Sequence, residues 1–249
     1  MILVDKCIPL ENIKFKKEYL DGLKKGLPIG LGYISVSITF GILAVNGGMT
    51  PLTALLMSAT NLTSAGQFAG IDLIFSKASY FELALTTLII NIRYLLMSLS
   101  LSQKLHSTLS LLDTLLISFG ITDEVFAVAS LEETKLNAPY MFGLITLPFL
   151  GWTSGTLIGA IASSFLPTVI QDAFGIAIYG MFIALIIPPC KKSKGIAFVV
   201  NLAIILSCCL YYLPVLNKIS QGFAIIICSI LSSVLGAYFF PIKNKDGEN

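Results

Sequence analysis

Eight long apolar runs, separated by short polar segments, fill most of this chain and constrain its fold more than any other feature. A helix needs about 20 mostly apolar residues to cross a hydrocarbon core of about 30 Å, and most of these runs reach that length. Only 12% of the 249 residues are charged, about half the share of a soluble domain. The sequence therefore predicts an all-α, polytopic transmembrane helical bundle and excludes a soluble enzyme.

The polar segments and helix-breaking residues between the apolar runs set the bounds of the predicted spans to within several residues. The spans cover residues 26–45, 51–71, 80–101, 109–130, 139–165, 172–188, 195–213 and 220–241. Thr50 precedes a proline and is predicted to cap the second span, while Ser79 and Glu82 fit a capping box. Pro188 and Pro189 are predicted to end the sixth span.

The lysines orient the predicted spans. Eight spans place both termini on one side, and a cytoplasmic N-terminus leaves thirteen lysines inside and two, Lys104 and Lys218, outside. This balance satisfies the positive-inside rule and predicts that both termini lie in the cytoplasm. A seven-span arrangement, in which residues 172–188 do not cross, is the second choice.

The same division predicts three parts of the chain. Residues 1–25 form a cytoplasmic amphipathic N-terminal segment, 26–241 a single transmembrane transport domain, and 242–249 a short cytoplasmic tail. In the first part, Phe15, Tyr19 and Leu23 share a helix face among lysines, which suits contact with anionic membrane lipids. A solvated positive anchor fits these residues equally well.

Arg93 is predicted near the middle of the third span, directly after Asn91 and Ile92. A charge at that depth is costly and is a functional hypothesis by default. The alternative is structural, with the guanidinium satisfying carbonyl groups at a helix break or reaching for an interface. The distance to either end of the span favours the functional interpretation.

Asp123 and Glu124 follow Gly120 and Thr122 inside the fourth span. A glycine followed by Thr-Asp is typical of a new helix start, so this segment predicts a broken helix whose positive end points into the membrane. Such an end can bind a substrate carboxylate, and an acid there can carry protons. The alternative places the two acids at the end of an ordinary span. Proximity of Arg93 to Asp123 is expected, although straight antiparallel helices leave an axial offset of about 9 Å.

The second span carries a polar face. Thr60, Thr63, Ser64 and Gln67 lie at helical spacing halfway through the membrane, and Tyr33 adds a polar group from the first span. Such a face lines a water-filled path or a helix contact, since hydroxyl and amide groups also bind between helices. The number of polar groups favours the path.

The fifth span contains small residues at every fourth position, namely Gly151, Gly155 and Gly159. This spacing predicts close packing of two helix backbones rather than a ligand site.

The sequence motifs do not support an enzymatic function. The single histidine, His106, lies in a predicted outer loop, and there is no H-E-x-x-H, P-loop or cysteine pair with metal spacing. No basic stripe suggests a nucleic acid. The sequence thus predicts no catalytic residue, no metal and no cofactor. A transporter, an ion channel or a scaffold subunit remains, and scattered polar groups near the midplane favour a transporter for a small zwitterion.

Four stretches of the chain resemble the AzlC-type branched-chain amino acid permeases, the larger subunit of bacterial amino acid exporters. They run from Leu27 to Gly41, from Ser64 to Phe68, from Asn91 to Tyr94 and from Phe119 to Phe126, and the last is the most specific. The resemblance implies export of branched-chain or similar neutral amino acids, coupling to an ion gradient and a small AzlD-type membrane partner. It also implies a bacterial-type cytoplasmic (inner) membrane.

We accordingly expect a secondary-active transporter that exports branched-chain or other neutral hydrophobic amino acids by alternating access about a midplane site. The alternative is a non-transporting scaffold subunit, or an ion channel active only with a small membrane partner. The residues expected to form or flank the substrate path are Tyr33, Ser64, Gln67, Asn91, Arg93, Thr122, Asp123 and Glu124.

Overall fold

The computed structural model describes residues 10–106, 109–214 and 216–241. The predicted tail at 242–249 and the first nine residues of the predicted N-terminal segment lie outside the described residues. The helices are α1 (Leu10–Asn46), α2 (Pro51–Thr60), α3 (Ala65–Phe75), α4 (Tyr80–Ser102), α5 (Leu111–Phe119), α6 (Asp123–Ser130), α7 (Ala138–Ala162), α8 (Thr168–Lys192), α9 (Lys194–Tyr212) and α10 (Gln221–Phe239).

The predicted all-α membrane bundle is confirmed. Among the described residues, five helices are long and apolar enough to cross a membrane, namely α1, α4, α7, α9 and α10. The chain divides into two compact units. The first runs up to Ser64 and resumes with Arg93–Gln171, and the second holds Ala65–Ile92 and the described residues from Asp172 onward.

In the first unit, α1 and α7 pack backbone against backbone through glycine. A Cβ atom on Gly151 would lie 2.3 Å from the carbonyl oxygen of Gly30, and one on Gly159 would lie 2.0 Å from that of Ile38. Gly155 lies equally close to α1. The three glycines of the predicted packing motif therefore all lie where a side chain would separate the two helices.

The two helices run in the same direction. Near their starts, a Cβ atom on Gly22 would lie 2.1 Å from the oxygen of Tyr140, and further along one on Gly41 would lie 2.2 Å from the oxygen of Thr156. Residue numbers thus rise together along both helices. Parallel neighbours require the chain to cross the membrane an odd number of times between them.

The segment predicted as the fourth span does not cross. Helix α5 begins at a capping box on Ser110 and has nine residues, while α6 has eight, so each is about 12–14 Å long. After α6 the chain returns to the place where α5 begins. There the Lys104 ammonium group donates to the carbonyl oxygens of Ser130 and Glu132. The α5–α6 segment is a re-entrant hairpin whose tip lies inside the membrane.

This hairpin corrects the predicted number of crossings. Helix α4 is long enough to cross, and the α5–α6 hairpin returns to the side on which it begins. An odd number of crossings between α1 and α7 then requires that the predicted second span, now α2 and α3, also returns to the side on which it begins. Lys104 then shares a side with Lys135, whose ammonium group donates to the oxygen of Gln103 at 2.7 Å. The lysine balance could not reveal this arrangement, because Lys104 and Lys77 exchange sides and the number of lysines on each side stays the same.

The second span is broken in the middle, which corrects the predicted continuous polar face. Helix α2 begins as predicted, with Thr50 accepting from the N–H of Thr53, but it ends at Thr60. The Asn61 side chain then binds the N–H and hydroxyl of Thr63 at 3.1 and 2.6 Å. Ser64 has a φ of 33° immediately before α3. Local side-chain bonds to the backbone compete with the helix here and redirect the chain.

In the second unit, α9 and α10 pack antiparallel, with the rings of Phe198 and Phe239 5.6 Å apart. Glu82, at the start of α4, forms half of the predicted capping box, since its N–H donates to Ser79. Its carboxylate instead accepts from the hydroxyl of Ser220 and, at 3.0 Å, from the N–H of Gly222, and so caps α10.

The predicted end of the sixth span is wrong. Helix α8 continues through Pro188 and Pro189 to Lys192. Prolines are tolerated within membrane helices when the freed carbonyl groups find other partners.

Candidate functional site

The candidate site lies at the tip of the α5–α6 hairpin, where the sequence predicts a broken helix. Helix α5 ends at Phe119 with Gly120 as its C-cap, and Thr122 caps α6 by accepting the N–H of Val125 at 3.4 Å. Asp123 and Glu124 form the first turn of α6. Two carboxylates therefore lie at the positive end of a half-helix inside the membrane, where a helix favours negative charge.

Arg93 of α4 pairs with Asp123, with Nη1 and Oδ2 2.9 Å apart. The expected axial offset does not arise, because the hairpin makes α6 run in the same direction as α4. Arg93 lies nine residues before the end of α4 at Ser102, and Asp123 lies seven residues before the end of α6 at Ser130. At 1.5 Å per residue these depths differ by only about 3 Å.

Tyr33 of α1 joins the same site, since its hydroxyl donates to the Glu124 carboxylate. Its ring packs edge-on against Trp152 of α7, with centroids 5.5 Å apart. Tyr33 lies eight residues after Lys25, about 12 Å into the membrane from the end where the hairpin begins and returns. Residues from α1, α4 and α6 thus meet near one depth.

The ion pair is incompletely covered. The side chains of Arg93 and Asp123 are 40% and 36% exposed. The Arg93 Nε atom is buried without a hydrogen-bond partner, and the guanidinium carbon lies 5.2 Å from the ring centre of Tyr94. Part of each charged side chain is therefore exposed, and one donor of the guanidinium has no hydrogen-bond partner among the described residues.

An apolar cluster separates the hairpin tip from the end at which the hairpin opens. It includes Ile117, Ile121 and Val125 of the hairpin together with Leu101 and Met141, all of them buried. Water and a polar substrate cannot pass such a cluster without disrupting it.

A charged network lies at that end. The Glu132 carboxylate accepts from the Lys25 ammonium group and, at 2.7 Å, from the Tyr140 hydroxyl. The hydrogen bond from Lys25 holds the pKa of Glu132 below its ordinary value. The network ties α1 to the loop between α6 and α7.

Three other predicted path residues lie elsewhere in the chain. Ser64 ends the first unit, whereas Gln67 and Asn91 belong to the second. Gln67 is wholly buried in α3, and the Asn91 Oδ1 atom is buried without a hydrogen-bond partner. Their part in a substrate path stays a prediction.

Sequence reasoning missed Trp152 as a neighbour of the site, and Lys25 and Glu132 at the end where the hairpin opens. Each makes its contact over a long sequence separation, so spacing gives no signal. Lys25 and Glu132 show only as charges at the borders of apolar runs, which is typical of many membrane loops. Among the described residues, no group of three or more histidine, cysteine, aspartate or glutamate residues could hold a metal ion.

Comparison with known proteins places this architecture in a family. The model of the AzlC protein family matches residues 28–166, more than half of the chain, including α4, the hairpin and all of α7. This chain belongs to the AzlC family. No solved structure gives a significant match.

The names of similar proteins differ in whether they state a function. Inner membrane protein YgaZ of Escherichia coli is 28% identical over 230 residues, covering 89% of this chain and 91% of the relative. An uncharacterised membrane protein of Archaeoglobus fulgidus is 31% identical, covering 68% and 75%. The branched-chain amino acid transport protein AzlC of Bacillus subtilis is 23% identical, covering 68% and 66%.

Proposed function

We propose that this protein is a secondary-active transporter that exports branched-chain or other neutral apolar amino acids by alternating access. The observation that carries the proposal is the Arg93–Asp123 pair at a helix break inside the membrane, with Glu124 as the next residue in the chain. The name of the Bacillus subtilis relative supports the substrate class. No catalytic role is proposed for any residue.

The charges at the hairpin tip match the two ends of a zwitterion. The Arg93 guanidinium and the free N–H groups of the first turn of α6 can bind the substrate carboxylate, as helix starts bind anions. Asp123 or Glu124 can bind the ammonium group. Thr122 fixes the start of the helix, and Tyr33 holds Glu124 in place.

We further propose that the protein lies in a bacterial-type inner membrane with both termini in the cytoplasm. The lysine balance supports this orientation and is the same for the re-entrant arrangement. The end that carries the Glu132 network would then face the cytoplasm. The name of the Escherichia coli relative supports the inner membrane.

A small AzlD-type membrane subunit is proposed as partner. Helix α4 carries the site arginine, yet Leu95, Leu96 and Leu99 on the same helix are between 62% and 69% exposed. Contact with a second membrane protein or with lipid would cover this surface. The competing function is a scaffold subunit, in which the Arg93–Asp123 pair serves assembly alone.

Counterflow of radiolabelled valine and leucine in proteoliposomes tests the proposal. Wild type, alone or with a small partner, should exchange both amino acids. Arg93→Ala and Asp123→Asn should abolish exchange, because the first removes the group proposed to bind the substrate carboxylate and the second removes the carboxylate that holds that group in place. Glu133→Gln, a change in an exposed loop carboxylate, is the matched control and should exchange like wild type.

The result separates transporter from scaffold. Loss of exchange in correctly assembled variants supports a substrate site at the hairpin tip. Variants that assemble poorly but exchange normally once assembled would favour the scaffold. Absence of exchange by wild type under every partnered condition would refute transport of these amino acids.

A further inference from the structure

Three exposed lysines, Lys191, Lys192 and Lys194, lie where α8 ends and α9 begins. Helix α9 is long and apolar enough to cross a membrane, and its first residue is Lys194. The junction of the two helices therefore lies where the hydrocarbon core meets water, at the level of the lipid headgroups. These three lysines are named the junction patch.

Exposed aromatic rings lie beside the junction patch. The end of α10 packs against the start of α9, since a Cβ atom on Gly195 would lie 3.1 Å from the Cβ atom of Phe240. The rings of Phe198 and Phe240 are 5.4 Å apart. Tyr238 and Phe239, the two residues before Phe240, are exposed. Tyrosine is enriched where membrane helices meet the headgroups, and no residue of α9 is buried, so lipid can reach this end of the helix.

The junction patch has no acidic partner in its own part of the chain. Residues 173–245 contain no aspartate or glutamate. Glu82 does contact α10, but it binds the N–H of Gly222 in the first turn, about 25 Å along the helix from the end beside the patch. No ion pair joins the patch to any described residue.

The lysines at the open end of the hairpin are different, because the protein itself supplies their partners. Lys25 pairs with Glu132. Lys104 and Lys135 donate to backbone carbonyl oxygens. The three positive charges of the junction patch have no such partner among the described residues. Anions from outside the chain must therefore balance them, and at this depth the nearest anions are lipid phosphates.

We propose that the junction patch binds the headgroups of anionic phospholipids. A lipid with net negative charge complements the three ammonium groups, while the neighbouring rings contact its acyl chains. Each lysine beside a negatively charged membrane surface strengthens binding about fivefold, so three lysines give a preference of about a hundredfold at most. This binding is separate from the proposed transport, and its test requires no transport.

Native mass spectrometry of the purified full chain tests the patch. The protein is titrated in detergent with phosphatidylglycerol, which carries a net negative charge, and separately with phosphatidylcholine, in which phosphate and choline cancel. Wild type should bind phosphatidylglycerol at least about tenfold more tightly. Replacing all three patch lysines, by Lys191→Gln, Lys192→Gln and Lys194→Gln together, should remove most of this preference, because the lipid charge then has no nearby partner.

Two further variants make the result decisive. Lys16→Gln, Lys17→Gln and Lys24→Gln together remove the same charge from exposed positions of α1, where Glu18 and Asp21 already offset it, and should keep the preference. Arginine at the three patch positions keeps the charge and should bind like wild type. Loss of the preference in this arginine variant would overturn the proposal even where the glutamine variant does not fold. A wild type without the preference, a folded glutamine variant that keeps it, or equal loss in the α1 variant would also overturn it.

Discussion

Replacing Gly159 with alanine should force α7 away from α1. The new Cβ atom would lie 2.0 Å from the carbonyl oxygen of Ile38, 2.7 Å from its carbonyl carbon and 2.8 Å from its Cα atom. A close carbon–oxygen contact is about 3.3 Å, so the backbones would have to separate by about 1.3 Å. All three contacts are to backbone, and no flexible side chain can move aside.

The size of the effect follows from a matched comparison. Overpacking a tight interface costs about 1–3 kcal/mol, and a contact this short belongs at the upper end. Alanine also gains about 1 kcal/mol over glycine in helix propensity. Gly32→Ala on α1 is the control, because nothing lies within 4 Å of its added Cβ atom. The two variants share the propensity gain, so their difference isolates the clash.

Trp152 provides the assay. It is the single tryptophan of the chain, is 1% exposed and contacts Tyr33 across the α1–α7 interface. Its emission, followed during titration of the purified protein with sodium dodecyl sulfate, should report unfolding of this interface. We expect Gly159→Ala to unfold at lower detergent fraction than wild type, and Gly32→Ala at an equal or higher one. Coincident transitions for the two variants would refute the backbone contact.

Three further predictions concern other parts of the chain. In a cysteine-free background, single cysteines replacing Lys104 and Lys135 should react with an impermeant thiol reagent from the same side of the membrane; reaction from opposite sides would exclude the re-entrant hairpin. Lys25 depresses the folded-state pKa of Glu132, so the stabilisation lost in Glu132→Gln should be present above the ordinary value of 4.5 and disappear as the pH falls through the lower folded value. A thermal-stability difference that does not depend on pH would contradict this. Glu82→Ala should destabilise the protein by about 1–2 kcal/mol in thermal melts, because α10 loses its cap, and a melt like that of wild type would exclude the capping role.

The chemistry of single segments was predictable from the sequence. The break before Asp123 follows from a glycine two residues before a residue that caps a helix, and the cap at Thr50 precedes a proline at the first helical position. The glycine spacing of α7 predicts a close backbone contact. In each case the cause lies within a few residues of the effect.

The path of the chain through the membrane was not predictable in the same way. The length of an apolar run cannot distinguish one crossing helix from two half-helices. The lysine balance also stays the same when Lys77 and Lys104 exchange sides of the membrane. Thr60, Thr63 and Ser64 were interpreted as members of a helix face, although the same residue types favour a turn. The approach of Tyr33 to Glu124 depends on the packing of distant helices, which no local pattern specifies.

The depth of the hairpin tip has an electrical consequence. Asp123 lies about 10 Å along α6 from the end near Glu132, about a third of a 30 Å hydrocarbon core. A unit charge moving across the whole core gains or loses about 2.3 kcal/mol per 100 mV of membrane potential, so moving between that end and the tip involves about 0.8 kcal/mol. The larger part of the voltage drop lies on the other side of the tip. Ion binding from the two sides of the membrane should therefore differ in its dependence on voltage.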